Sequence, residues 1–123
     1  MAEPNKAPWP TELRLKPGGN VLAVTYNNGE SFELDAEYLR VESPSAEVQG
    51  HSPTQRQWVG GKKDVTIREI KPVGNYAARL VFSDGHATGI YSWSELLRLG
   101  RERETLWPAY LSKLAELGLK REA

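Results

Sequence analysis

Cysteine is absent from the 123 residues. That excludes disulfides, thiolate nucleophiles, cysteine-ligated zinc and any iron–sulfur cluster held by this chain alone, and it suits a reducing compartment. An excess of either charge is missing too, since 16 Lys and Arg stand against 16 Asp and Glu. A general nucleic-acid binder needs a surplus of cations to meet phosphate, so no nucleic-acid partner is expected. No apolar run approaches the roughly 20 residues that span a bilayer, and Met1-Ala2-Glu3-Pro4 does not read as a signal peptide. No membrane association is expected, and the expected address is cytoplasmic. Histidine is scarce, with only His51 and His86. What is present, 39% hydrophobic residues in a chain of this length, is enough for one compact domain and no second.

Patterning gives the organisation. Residues 1–10 carry Pro4, Pro8 and Pro10 without periodicity and read as a flexible lead in which Trp9 tacks down locally. Residues 11–118 read as the single domain and 119–123 as a tail. Leu13 and Leu15 alternate with polar neighbours as in a half-buried strand, and residues 21–26 and 31–35 form a hairpin about Asn27-Asn28-Gly29. Asp35 caps a short helical turn over residues 36–40. The second half repeats the scheme, with strands at 66–70, 76–82 and 87–91, a hairpin turn at Ser83-Asp84-Gly85, and a helix opened by Ser92 with Glu95 at capping-box spacing. In the 76–82 strand, Tyr76, Ala78, Leu80 and Phe82 share one face.

The motif Lys-Pro-x-Gly-Asn recurs 55 residues apart, as Lys16 to Asn20 and Lys71 to Asn75, and the Asn/Asp-Gly turns recur 56 apart. Two explanations fit: a duplicated unit, or two meanders reusing the same turn chemistry. Both give antiparallel sheet. Towards the C-terminus, Trp93, Leu96, Leu97 and Gly100 make one helical stripe. A second helix, capped by Thr105 with Pro108 in its first turn and ended by Gly118, carries Leu106, Tyr110, Leu111, Leu114 and Leu117. Packing of these stripes on the sheet is favoured over a groove for a partner helix. The fold class is therefore α+β: antiparallel sheets from two three-stranded meanders, with C-terminal helices packed on them as a two-layer sandwich. Residues 41–63 have no hydrophobic period and exceed the 12–15 residues usually left irregular, so function is sought there, with Trp58 and Val59 docking the loop in part.

Little chemistry survives inspection. Ser43, Ser45 and Ser52 lie near His51 without a Gly-x-Ser-x-Gly elbow, so no hydrolase is inferred. Gly60-Gly61-Lys62-Lys63 is not a phosphate-binding loop. The cluster of Arg56, Trp58, Lys62, Lys63, Arg68 and Lys71 is interleaved with Glu42, Glu47, Asp64 and Glu69, as on a solvated surface. His86 beside Asp84, with His51 and Glu47, would make an iron or zinc site if folding brought them together; the alternative is a turn-bonded His86 and a solvated His51.

From Tyr38-Leu39-Arg40-Val41-Glu42-Ser43-Pro44-Ser45-Ala46-Glu47-Val48, and again through Pro72-Val73-Gly74-Asn75-Tyr76-Ala77 and Phe82-Ser83-Asp84-Gly85-His86-Ala87-Thr88-Gly89-Ile90-Tyr91-Ser92-Trp93, the chain resembles the gamma-butyrobetaine hydroxylase-like N-terminal domain family. The resemblance covers about residues 10–117. It implies a domain that precedes oxoglutarate- and iron-dependent oxygenases, is appended to P-loop ATPases carrying iron–sulfur clusters, or stands alone in bacteria; this chain is similar to the last group. Its oxygenase relatives hold zinc through a Cys-x-Cys-x-x-Cys run and a later histidine. Matching places Ser43, Ser45 and Val48 at the cysteine positions and His86 at the histidine, so the resemblance implies that this zinc is lost and that hydrogen bonds and apolar packing hold the loop instead. The leading expectation is a non-enzymatic accessory or adaptor domain in iron–sulfur or iron-dependent metabolism. Its partner protein would be an iron–sulfur carrier ATPase or an iron-dependent enzyme, bound through Trp58, Ser43, Ser45 and Arg56 with the His86 hairpin. The competing one is a metal-binding protein using His51 and His86, with Glu47, for iron or zinc.

Overall fold

The computed structural model describes residues 7–123, apart from the side chain at position 53. Strands β1 (Pro10–Leu15), β2 (Val21–Tyr26) and β3 (Ser31–Asp35) form one antiparallel sheet in that order, and β4 (Ile67–Val73), β5 (Ala77–Phe82) and β6 (Ile90–Ser92) form a second. Between them run α1 (Ala36–Val41), α2 (Ala46–Gln49) and a 3-10 turn (Pro53–Gln55); α3 (Trp93–Arg101) and α4 (Arg103–Leu117) follow β6. The fold is α+β, as the two meanders and the C-terminal stripes require. Among the described residues, no helix is long and apolar enough to cross a membrane.

Period-two alternation makes the core. Leu22, Val24 and Tyr26 of β2 face inward with Leu80 and Phe82 of β5, and Leu39, Leu96 and Leu99 cover them from α1 and α3. Burying a side chain of this size is worth about 2 kcal/mol. A smaller cluster joins Val41 to Tyr110 and Leu114 of α4, with Trp58, Val59 and Trp107 packed on it. The sheets meet where the amide of Ile67 donates to the Gly19 carbonyl at 2.7 Å; a Cβ at Gly19 would lie 2.4 Å from the Ile67 carbonyl oxygen, and its φ of +74° is itself a glycine conformation. Four buried tyrosines tie separate elements together by donating to backbone carbonyls: Tyr26 to Trp93, Tyr38 to Leu99, Tyr91 to Leu39 and Tyr110 to Val59.

The departures from expectation have physical causes. Lys71-Pro72-Val73 belongs to β4, not to a turn, because β4 is an edge strand where a residue without an N–H is tolerated. Tyr76 does not share the buried face of Ala78, Leu80 and Phe82; it precedes the strand and is 58% exposed. The last strand is shorter than expected, since residues 87–89 leave the ladder. Helix α4 starts two residues before Thr105 and keeps Pro108 in its interior, and Leu111 and Leu117 stay largely exposed. Ser92 caps α3 by accepting from the Glu95 amide, as its spacing predicts.

The flexible lead falls on residues 1–6, outside the described residues, and on 7–10, where Trp9 exchanges bonds with Asn27 and Pro10 opens β1. Within residues 119–123, Lys120 and Arg121 accept from the amides of Gly61 and Lys63, and the Arg121 guanidinium meets Glu37 in a two-bond fork at 2.8 and 2.9 Å. These residues therefore dock against the loop rather than trail from it.

Candidate functional site

The turn after β5 and the segment after α1 meet through side chains. Asp84 closes its turn by accepting from the His86 amide at 3.0 Å, which points the imidazole back at the chain after α1. There Ser43 Oγ lies 2.9 Å from His86 Nε2 and accepts from the Ser45 amide at 3.2 Å. Ser45 caps α2 through the Glu47 amide and pairs its hydroxyl with Thr88 at 2.7 Å. Glu47 Oε2 approaches His86 Nδ1 at 3.4 Å, and Gln49 donates to the Ser43 carbonyl. Gly89 permits this closeness, because a Cβ there would fall 2.5 Å from Ser43 Oγ and 3.2 Å from the Tyr91 ring.

Burial holds the His86 proton affinity below the ordinary imidazole value, and the Arg40 charge adds to this against the opposing carboxylates of Glu47 and Asp84. A proton on Nδ1 would face the Glu47 carboxylate, and in that tautomer of the neutral imidazole Nε2 is the acceptor for the Ser43 hydroxyl. Burial by itself would raise the Asp84 carboxyl, but bonds from Lys62, the His86 amide and Arg40 overcome it and hold the group at about 2.

Zinc, which the family resemblance implies, does not fit these residues. Two donors are neutral hydroxyls, Val48 offers none, and its side chain is buried. Ser43 and His86 are also closer than neighbouring ligands of a tetrahedral ion, which stand about 3.3 Å apart or more. The cluster is a hydrogen-bonded latch. Serine, histidine and glutamate do stand in the order of a nucleophile, base and orienting carboxylate, yet Ser43 has no exposed surface for a substrate to reach.

Of the residues expected to hold metal, the structure joins His86 to Glu47, while His51 is exposed and its amide bonds to Gln55. Among the described residues, no group of three His, Asp or Glu gathers closely enough to hold an ion. Of those expected to meet a partner, Ser43 and Ser45 are buried within the latch. Trp58 is half-buried on Val41, Tyr110 and Leu114, with the Arg56 guanidinium stacked on its ring at 3.9 Å and bridged to the buried Glu42.

Sequence reasoning missed a second feature. An open cleft of about 800 Å³ runs between the lead into β1 and the junctions of β4–β5 and β6–α3, walled by Trp9, Tyr76 and Trp93. Trp93 is held by three bonds: its amide donates to the Tyr76 carbonyl, its indole to the Asn75 carbonyl, and its own carbonyl accepts from Tyr26. The Tyr76 ring lies over Gly74, whose missing Cβ would stand 2.9 Å from it and whose φ is +54°. Strand alternation drew Tyr76 inward on paper; its place directly after a Gly-Asn turn was the signal that it stands outside the ladder.

The family described as gamma-butyrobetaine hydroxylase-like, N-terminal, matches residues 13–97. None of the curated proteins matches the chain. Two proteins solved in solution by NMR are similar to it with TM-scores of 0.81: one is 45% identical, covering 98% of this chain and 90% of its own, the other 38% identical, covering 95% and 92%. A crystal structure of a protein of unknown function in the DUF971 family, from Acidithiobacillus ferrooxidans, is 42% identical with a TM-score of 0.62, covering 74% of this chain and 91% of its own. A match over that much of the sequence shows that the chain belongs to the gamma-butyrobetaine hydroxylase-like N-terminal domain family.

Proposed function

We propose that the protein is a non-enzymatic accessory domain that docks onto a partner protein in iron–sulfur or iron-dependent metabolism. The observation that carries the docking is the Trp9–Tyr76–Trp93 cleft. It leaves Tyr76 58% and Trp9 42% exposed on a surface whose other large aromatics are mostly covered, and exposed aromatics rimmed by polar groups mark interaction sites. The metabolic setting rests on the family's company of iron-dependent oxygenases and cluster-carrying ATPases. With Ser43 and Glu47 both engaged by His86, and the serine and imidazole buried, the polar cluster supports a scaffold role.

Calorimetric titration of a purified iron–sulfur carrier ATPase into the chain tests this. Saturable binding that Tyr76→Ala and Trp9→Ala each weaken supports the proposal. Binding indifferent to both substitutions, or none to either an ATPase or an iron-dependent oxygenase, counts against it.

A further inference from the structure

The walls of the cleft restrict what fills it. Charged residues make up 26% of the chain, yet among the described residues no Lys, Arg, Asp or Glu lines this trough. A charged side chain entering it would give up water without meeting a counter-ion from those residues, which favours an uncharged complementary surface. One wall carries Pro8 and Pro10, which have no N–H to offer a ladder, so an occupant is not added there as another strand. The remaining grip is aromatic. The Trp93 ring is held by its indole bond to Asn75 and the Tyr76 ring lies over Gly74, so less side-chain entropy is lost on contact than with unsupported rings. Asn75 and Ser94 supply polar groups along the same trough. Rigid aromatic faces with side-chain hydrogen-bonding groups suit a polyproline-type segment, which arrives extended, has a solvated backbone and loses little freedom on docking.

We infer that this trough takes an extended, proline-bearing, uncharged segment of the partner protein, with its rings stacked on Tyr76 and Trp93. The inference rests on the docking reading above and names the kind of segment that reading leaves open.

The test is an NMR titration of the full isotope-labelled chain with a capped decaproline peptide, beside a capped control of equal length alternating Glu and Lys. Saturable shifts of the Trp9 and Trp93 indole signals and of the amides around Asn75 and Ser94 are expected with decaproline alone. Tyr76→Ala should weaken that binding about tenfold, as loss of an anchoring aromatic does, with signal dispersion elsewhere unchanged because the ring is mostly outside the core. Absence of saturable shifts, or equal shifts from the charged control, overturns the inference. So does movement of the same signals with protein concentration alone, which would assign the trough to a second copy of the chain. A partner whose binding needs Tyr76 while decaproline fails sinks this inference and leaves the docking reading standing; a partner indifferent to Tyr76 sinks the docking reading itself.

Discussion

The turns after β2 and after β5, 56 residues apart, close in the same way. Gly29 and Gly85 have φ of 91° and 92°, and their amides donate to Tyr26 and Phe82. The Asn28 and Asp84 side chains each accept at 3.0 Å from the amide two residues on, belonging to Glu30 and His86. Each turn then reaches the end of a helix from the other half. Glu30 forms a surface ion pair with Arg101 at the end of α3, whereas His86 enters a buried contact with Ser43 just past α1. The packing beneath is exchanged too: a Cβ on Gly100 would strike Phe32 beside the first turn, while Gly89 beside the second leaves space for Ser43. One backbone device thus serves two ends. In water it gives an exchangeable charge pair, and in the interior it gives a directional bond whose loss strands a polar group.

The comparison breaks most sharply at Gly89. Gly89→Val drives branched atoms into Ser43 Oγ and the Tyr91 ring and should cost about 3 kcal/mol in denaturant unfolding. Gly100→Ala meets the Phe32 ring with a single added carbon and gains helix propensity within α3, so it should cost less. A Gly89 variant as stable as wild type would show that the second turn is not closely packed. Next in size, His86→Ala takes away the imidazole partner of the buried Ser43 hydroxyl and should cost about 2 kcal/mol. Added chelator should not change the melting temperature of wild type, because the latch fits no zinc.

Acid separates the turns further. The native His86 takes its proton at lower pH than an unfolded imidazole, so as pH falls below 6.5 the unfolded state binds protons first and stability declines. Asp84, ionised down to about 2 in the fold against 3.8 ordinarily, adds stability that is present above 3.8 and lost on descent towards 2. Denaturation midpoints across pH should lose the upper limb in His86→Gln and the lower limb in Asp84→Asn. The smallest effect belongs to Glu30→Gln, which removes only a surface charge and should leave the melting temperature within error. A clear drop there would erase the contrast between the halves.

How far these features were legible follows the range of the interactions that set them. Strands β2 and β3 and the Ser92 cap are fixed by neighbours within a few residues, so alternation and capping spacing placed them correctly. Pairing Ser43 with His86 needed the family's ligand pattern, since nothing local joins positions 43 residues apart. Pro72 misled because the rule against proline in strands lapses at an edge. The cleft was invisible because Trp9, Tyr76 and Trp93 lie in three separate segments, and alternation assigned Tyr76 to the core.

The tyrosine-to-carbonyl ties make the protein its own optical reporter of alkaline collapse. Burial pushes the hydroxyls of Tyr26, Tyr38 and Tyr91 well above the ordinary phenol value, and that of Tyr110 up to about 12. Above pH 10 an unfolded chain sheds phenol protons that the native one retains, so stability drains away as base is added. Four of the five tyrosines sit in such ties. Most of the tyrosinate absorbance near the ultraviolet edge should therefore arrive together, in a single steep rise, at the moment the sheets part.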